Sequence, residues 1–225
     1  MNPRGKLWYR FVRWIARYVF FGALGGMRSI GEEHVPMEGA VIVAPVHFSY
    51  LDPEIVSCGT KRAVSFMAKK ELFEVFFLGW LIRSLDAFPV KRGENDTEAI
   101  RKAIELLQAG HAVLLFPEGT RGNGKVLGPM TPGVAMLAKR TGAKVLPVGI
   151  VGTQIVWPKG SKKLRRHGMK VIYGPTFTYA DTATGANEKE NRELFGQELA
   201  RRLVSLCESG GLQLELPESR SASLA

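Results

Sequence analysis

Apolar residues recur at helical spacing through the first two dozen positions, then gather into short β-branched runs separated by further helix-spaced stretches. From Lys6 to Leu24 the order is KLWYRFVRWIARYVFFGAL. At about 100° per residue it gathers Lys6, Arg10, Arg13 and Arg17 in a narrow arc and sets Leu7, Phe11, Trp14, Tyr18 and Phe21 opposite, which predicts an amphipathic helix. Gly22, Gly25 and Gly26 end or bend it. Residues 40–46 (AVIVAPV), 112–116 (AVLLF) and 144–151 (KVLPVGIV) read as buried strands, and 64–67 as a candidate for another. Residues 71–84 are apolar around most of a helical circumference, so that segment is expected to be buried or to touch lipid or a long aliphatic ligand. Residues 95–109 form an ordinary amphipathic helix closed by Gly110.

Apolar strands alternating with helices predict an α/β fold with a partly parallel central sheet flanked by helices, preceded by an N-terminal amphipathic helix at a membrane surface. Charges, Gly31 and Pro36 interrupt the pattern between residues 28 and 38. The expected division is an N-terminal helical anchor over 1–30, a sheet domain over 31–215 and a loose tail over 216–225. In such folds ligands collect beyond the C-terminal ends of the strands.

Composition narrows the field. At 225 residues with 45% hydrophobic content, the chain is long and apolar enough for a packed core, which excludes disordered and low-complexity classes. Two cysteines, Cys58 and Cys207, supply neither a disulfide framework nor a thiolate zinc site. The net charge of +10 admits nucleic acid, a phosphate-bearing metabolite or an acidic membrane face as partner. Its distribution matters more. The first 30 residues hold Arg4, Lys6, Arg10, Arg13, Arg17 and Arg28 and no carboxylate, with aromatic residues woven among them. A second cluster runs through Lys159, Lys162, Lys163, Arg165, Arg166 and Lys170. Arginines inside the first apolar run make a spanning helix or a cleaved signal peptide costly. Two placements stay open for that helix, in a lipid interface with its arginines on phosphates, or docked on its own domain.

The chemistry-bearing residues follow the strands. His47 and Asp52 stand five apart at the exit of the first strand, a spacing that pairs them only across a turn or helix start. A carboxylate on one imidazole nitrogen fixes the tautomer and raises the basicity of the other. Phe88-Pro-Val-Lys91-Arg92-Gly93 places two cations at an expected loop, where the arginine fork suits a phosphate or carboxylate. Phe116-Pro-Glu118-Gly119-Thr120-Arg121 flanks a glycine with a carboxylate and a guanidinium. Glu118 there either orients Arg121 or holds a hydroxyl. Gly119–Lys125 also mimics a phosphate-binding GxxxxGK loop. Val126 replaces the required hydroxyl, however, and Pro129, Pro132 and Gly133 interrupt the helix that should follow directly.

His47-x4-Asp52, FPVKRG at 88–93, FPEGTR at 116–121 and VLPVGI at 145–150, in that order, resemble the glycerophospholipid acyltransferases, above all the bacterial 1-acylglycerol-3-phosphate branch. The resemblance implies acyl transfer from acyl-CoA or acyl-carrier protein to the free hydroxyl of lysophosphatidic acid, giving phosphatidic acid, on the cytoplasmic side of the cell membrane. It implies His47 as base, Asp52 as its orienting carboxylate, Arg92 and Arg121 as phosphate ligands, and Glu118, Gly119 and Thr120 as parts of the acceptor site. Val46, where asparagine often precedes the histidine, and Thr131-Pro132-Gly133, where lysine often precedes the glycine, depart from the family pattern.

On this reading the oxyanion meets a backbone amide near the His47 turn or a side chain not identified from sequence. No cofactor and no metal are expected, since the remaining histidines lack ligand spacing. There is no GxSxG elbow for a serine nucleophile. A basic nucleic-acid-binding module is the contrasting class, and without a nucleic-acid-binding signature it is not the expectation. Within acyl transfer, glycerol 3-phosphate or a lyso-aminolipid are the alternative acceptors.

Overall fold

The computed structural model describes residues 3–69, 74, 87–90, 97–161 and 163–216. Its strands are β1 (Met27–Ile30), β2 (Val41–Pro45), β3 (Val64–Lys69), β4 (Ala87–Val90), β5 (Ala112–Leu114), β6 (Lys144–Val151) and β7 (Met169–Tyr173). They form one sheet in the order β1-β7-β6-β2-β5-β3-β4. From β6 through β4 every neighbouring pair is parallel, β6 meets β7 antiparallel, and β1 runs parallel to β7. The expected partly parallel sheet is present. β2 at its centre is buried along its whole length, as an apolar run covered on both faces requires.

The helices are α1 (Pro3–Ile15), α2 (Asp52–Gly59), α3 (Thr97–Gln108), α4 (Pro132–Thr141), α5 (Thr153–Val156) and α6 (Glu188–Ser209). α2 and α6 cover opposite faces of the sheet. The Tyr173 hydroxyl donates to the Val56 carbonyl of α2 (2.7 Å), whereas Lys170, three positions back and therefore on the other face of β7, donates to the Gly210 carbonyl just beyond α6 (2.8 Å). Asn187 caps α6 by accepting from the Glu190 amide (3.0 Å), and the helix buries Phe195, Leu199, Leu203 and Cys207 at four-residue spacing.

Several expectations are corrected. The strand read at 112–116 ends at Leu114, because Pro117 has no amide to extend the ladder. Residues 88–90, expected in a loop, belong to β4. Pro89 is tolerated there because β4 is an edge strand. Residues 126–131 are not helical, so no helix directly follows the GxxxxGK mimic, and α4 starts only at Pro132, a position where the missing amide costs nothing. Met27–Ile30, assigned to the N-terminal arm, pairs with β7 in the sheet. The apolar segment 71–84 lies outside the described residues apart from position 74, and so do Lys91, Arg92, Gly93, Lys162 and residues 217–225 of the tail.

The first helix also differs from its expected layout. α1 continues through a π-helical turn (Ala16–Phe20) to Ala23. It docks on the sheet domain through Tyr9 and Phe21, both buried, and Phe21 therefore does not join an outward apolar row. The cations do not stand opposite the aromatics. On a helical wheel the two rows lie about 90° apart, and both line one groove against the domain. Arg17 donates to the Cys58 carbonyl at the end of α2 (3.2 Å) and lies 3.9 Å from Glu32. Leu7, Phe11, Trp14, Tyr18 and Val19 stay exposed. No helix among the described residues is long and apolar enough to cross a membrane.

Candidate active site

Three adjacent parallel strands deliver the site. Val43 of β2 lies in register with Leu114 of β5, and Pro45 with Val148 of β6, so the loops after β5, β2 and β6 leave the sheet side by side. The middle loop carries His47 and leads into α2, the β5 loop carries Glu118 and Arg121, and the β6 exit carries Thr153.

His47 and Asp52 meet as the spacing required, across a turn that ends at the start of α2, with Pro53 in the first helical turn. Nδ1 of His47 lies 2.9 Å from Asp52 Oδ2. That oxygen also accepts from the amides of Phe48 (2.6 Å) and Ser49 (2.7 Å), while Oδ1 accepts from the Thr153 hydroxyl (2.7 Å). Asp52 is fully buried, so the three donors and the imidazole replace the water its carboxylate has lost. An acceptor-only carboxylate assigns the proton to Nδ1 and leaves the Nε2 lone pair free to accept. The imidazole stacks on Phe116 at 3.7 Å between ring centroids and keeps about 6% of its residue surface open.

Glu118 holds the two loops together. Its Oε1 accepts from the His47 amide (2.8 Å) and its Oε2 from the Gly128 amide (2.9 Å). Gly128 has to be glycine for this approach, since a Cβ there would stand 2.8 Å from Oε2. Burial raises the Glu118 carboxyl above its ordinary range, the two amide bonds oppose that rise, and the nearby Asp52 charge adds to it. Of the two alternatives for Glu118, orienting Arg121 or holding a hydroxyl, the first is not seen: its carboxylate oxygens accept from backbone amides, and no ion pair joins it to Arg121 among the described residues.

Arg121 instead lays its guanidinium over the Tyr50 ring at 3.6 Å, and its Nη1 is buried with no hydrogen-bond partner. Tyr50 leans on Trp157 (5.0 Å between centroids), whose carbonyl accepts from the Ser49 hydroxyl (2.7 Å). The Gly122 amide donates to the His47 carbonyl (2.7 Å), which ties the Arg121 turn to the histidine. Gly119 takes φ +66° in that turn, a conformation side-chain-bearing residues rarely adopt, and Thr120 beside it is exposed.

The structure thus brings His47, Asp52, Glu118, Gly119, Thr120 and Arg121 to one edge of the sheet, while Arg92 falls two positions past the end of β4, outside the described residues. It adds Tyr50, Phe116 and Thr153, none of which sequence reading singled out. The signals available were the place of Phe116 at the head of the FPEGTR block and that of Tyr50, with Phe48 one of two aromatic residues between the paired histidine and aspartate. The amides of His47, Phe48, Ser49 and Leu51 are all hydrogen-bonded to Glu118, Asp52 or Ser49, so that turn offers none of them to an oxyanion. Cys58 and Cys207 are buried, and burial pushes both thiols up to about 12, which removes them as nucleophiles. The GxxxxGK mimic is an ordinary turn in which Asn123 accepts from the amides of Lys125 and Val126.

A family model described as Acyltransferase matches residues 26–151. The 1-acyl-sn-glycerol-3-phosphate acyltransferase of Bacillus subtilis is 30% identical over 167 residues, which is 73% of this chain and 80% of that protein. The chloroplastic 1-acyl-sn-glycerol-3-phosphate acyltransferase LPAT1 of Arabidopsis thaliana is 30% identical over 167 residues, 72% of this chain and 44% of that protein. This chain therefore spans four fifths of the bacterial relative's length and under half of the plant one's. The crystal structure of the 1-acyl-sn-glycerophosphate (LPA) acyltransferase PlsC from Thermotoga maritima superposes with a TM-score of 0.73 at 26% identity, over 92% of this chain and 84% of that one.

Proposed function

Because the chain belongs to the acyltransferase family, we propose that it moves a fatty acyl group from a thioester to the free hydroxyl of 1-acylglycerol 3-phosphate, giving phosphatidic acid. The observation that carries this reading is the His47–Asp52 pair, its carboxylate fully hydrogen-bonded and its imidazole Nε2 free to accept. His47 Nε2 takes the proton from the acceptor hydroxyl as that oxygen attacks the thioester carbonyl. The positive charge that develops on the imidazole is met by Asp52 at 2.9 Å. As the tetrahedral intermediate collapses, the carbon–sulfur bond breaks and protonated His47 returns its proton to the departing thiolate. No enzyme nucleophile takes part.

Arg121 is the described cation for the acceptor's phosphate, and the role of second phosphate ligand goes to Arg92. The Nη1 of Arg121, buried without a partner, supports the role of Arg121, because a donor sealed from water is costly until an anion fills it. Since the amides of His47, Phe48, Ser49 and Leu51 are bonded elsewhere, none of these four is the oxyanion donor. The acyl donor is acyl-CoA or acyl-carrier protein, with no cofactor beyond it. The exposed row Leu7, Phe11, Trp14 and Tyr18 supports peripheral attachment to a membrane face, aromatic rings in the interface and arginines near lipid phosphates.

The test is product formation by the purified full chain with labelled acyl-CoA or acyl-carrier protein, offered 1-acylglycerol 3-phosphate, glycerol 3-phosphate or a neutral monoacylglycerol. Phosphatidic acid from the first substrate, with the phosphate-free one used at least a hundredfold less well, is the expected result. Equal use of monoacylglycerol would contradict a phosphate-reading Arg121.

A further inference from the structure

A groove of about 560 Å³ separates α1 from the C-terminal end of α2. Arg10, Arg13, Arg17 and Lys61 line it, with Glu32 the sole carboxylate among its lining residues. Like charges crowded in one groove repel, and Glu32 reaches only Arg17, at 3.9 Å. Arg10, Arg13 and Lys61 have no carboxylate within ion-pair distance among the described residues. Arg13 Nη1 is sealed from solvent without any hydrogen-bond partner. A buried donor on a permanent cation is an unfavourable state that an anion seated in the groove would relieve. Phe11, Trp14 and Tyr18 line the same groove and remain more than half exposed on its outer side, so its ligand meets cations inside and aromatic rings at the rim.

We propose that this groove binds the phosphate of an anionic membrane glycerophospholipid, with the phosphate on Arg10, Arg13 and Lys61 and the acyl chains running out past Phe11 and Trp14. The inference rests on the membrane-surface reading of α1 and deepens it, turning a diffuse attraction into one stoichiometric site. It also fixes distance. α2 starts at Asp52, which holds the catalytic histidine, and ends at Gly59, beside Thr60 and Lys61 of the groove. The headgroup site and the reacting site therefore stand at the two ends of one rigid helix, about 12 Å apart at 1.5 Å per residue.

The probe is dihexanoylphosphatidylglycerol below its micelle concentration, titrated into the full chain by calorimetry, with inorganic phosphate as competitor. The variants are Arg13→Gln, Lys61→Gln, which is exposed and leaves packing alone, and Arg165→Gln from the cluster far along the chain. Saturable one-to-one binding, weakened at least tenfold in the first two variants and unchanged in the third, is expected, with millimolar phosphate displacing little lipid. Absence of binding, equal weakening in all three variants, or full displacement by phosphate overturns the lipid site, the last by identifying free phosphate as the ligand. Cosedimentation with phosphatidylcholine vesicles containing 30% phosphatidylglycerol separates the two readings. Equal vesicle binding by the wild type and the groove variants sinks the groove alone, whereas a wild type that ignores vesicles but holds the soluble lipid sinks only membrane attachment.

Discussion

An ionised carboxylate removed from water costs several kcal/mol, and Asp52 offsets that cost with two amides, one hydroxyl and one imidazole. Asp52→Asn places an amide group where every partner donates, removes the charge that steadies the imidazole, and forces the Thr153 hydroxyl to reverse and accept from the new amide nitrogen. We expect a loss of activity of roughly 10³-fold and of stability by about 2–4 kcal/mol, read from steady-state kinetics and urea denaturation. Glu118→Gln meets the same difficulty between the His47 and Gly128 amides, and should lose about 1–3 kcal/mol. Tyr50 is the flat support for Arg121, so Tyr50→Ala should raise KM for the phosphate-bearing acceptor about tenfold with little change in kcat, while Tyr50→Phe keeps the wild-type value. The His47–Asp52 pairing was legible because its spacing admits so few geometries. The role of Glu118 was not, since its partners are backbone amides, and amides carry no residue identity to read.

At the level of elements, helix α2 couples chemistry at one end to the α1 contact at the other. Glu54 lies within it, half-buried, with its Oε2 sealed and unpartnered. Burial pushes its carboxyl from 4.5 up to about 7, and the Asp52 charge adds to the rise. The folded chain therefore keeps a proton that the unfolded chain releases, so this contribution to stability is complete below about pH 4.5 and is lost as pH climbs through 7. Unfolding in urea at pH 5 and pH 8 should show a drop of about 2–3 kcal/mol from this group, and Glu54→Gln should flatten it. Helices whose burial follows a clean stripe, such as α3, were visible in the sequence, as were β2 and β6 with their unbroken apolar runs. Elements set by tertiary context were not. β4 holds a proline that only an edge position tolerates, and α4 begins on a proline that otherwise argues for a loop.

For the whole molecule, a net charge of +10 together with an exposed aromatic row on α1 predicts binding to anionic vesicles that weakens steeply with salt, while catalysis on a soluble short-chain acceptor responds less. Cosedimentation at 50 and 500 mM salt, run beside the soluble-substrate assay, checks that difference. The parallel strands β6, β2 and β5 lie side by side in the sheet, and that arrangement assembles the site from loops far apart in the chain. The sequence held those loops in the right order but gave no distances between them. The most direct measurement compares kcat/KM for phosphatidic acid formation in wild type and His47→Ala, with thermal unfolding run on both. A fall of at least 10³-fold with the folded state intact is expected, and a folded His47→Ala protein that still forms phosphatidic acid at near wild-type rate would contradict His47 as the base.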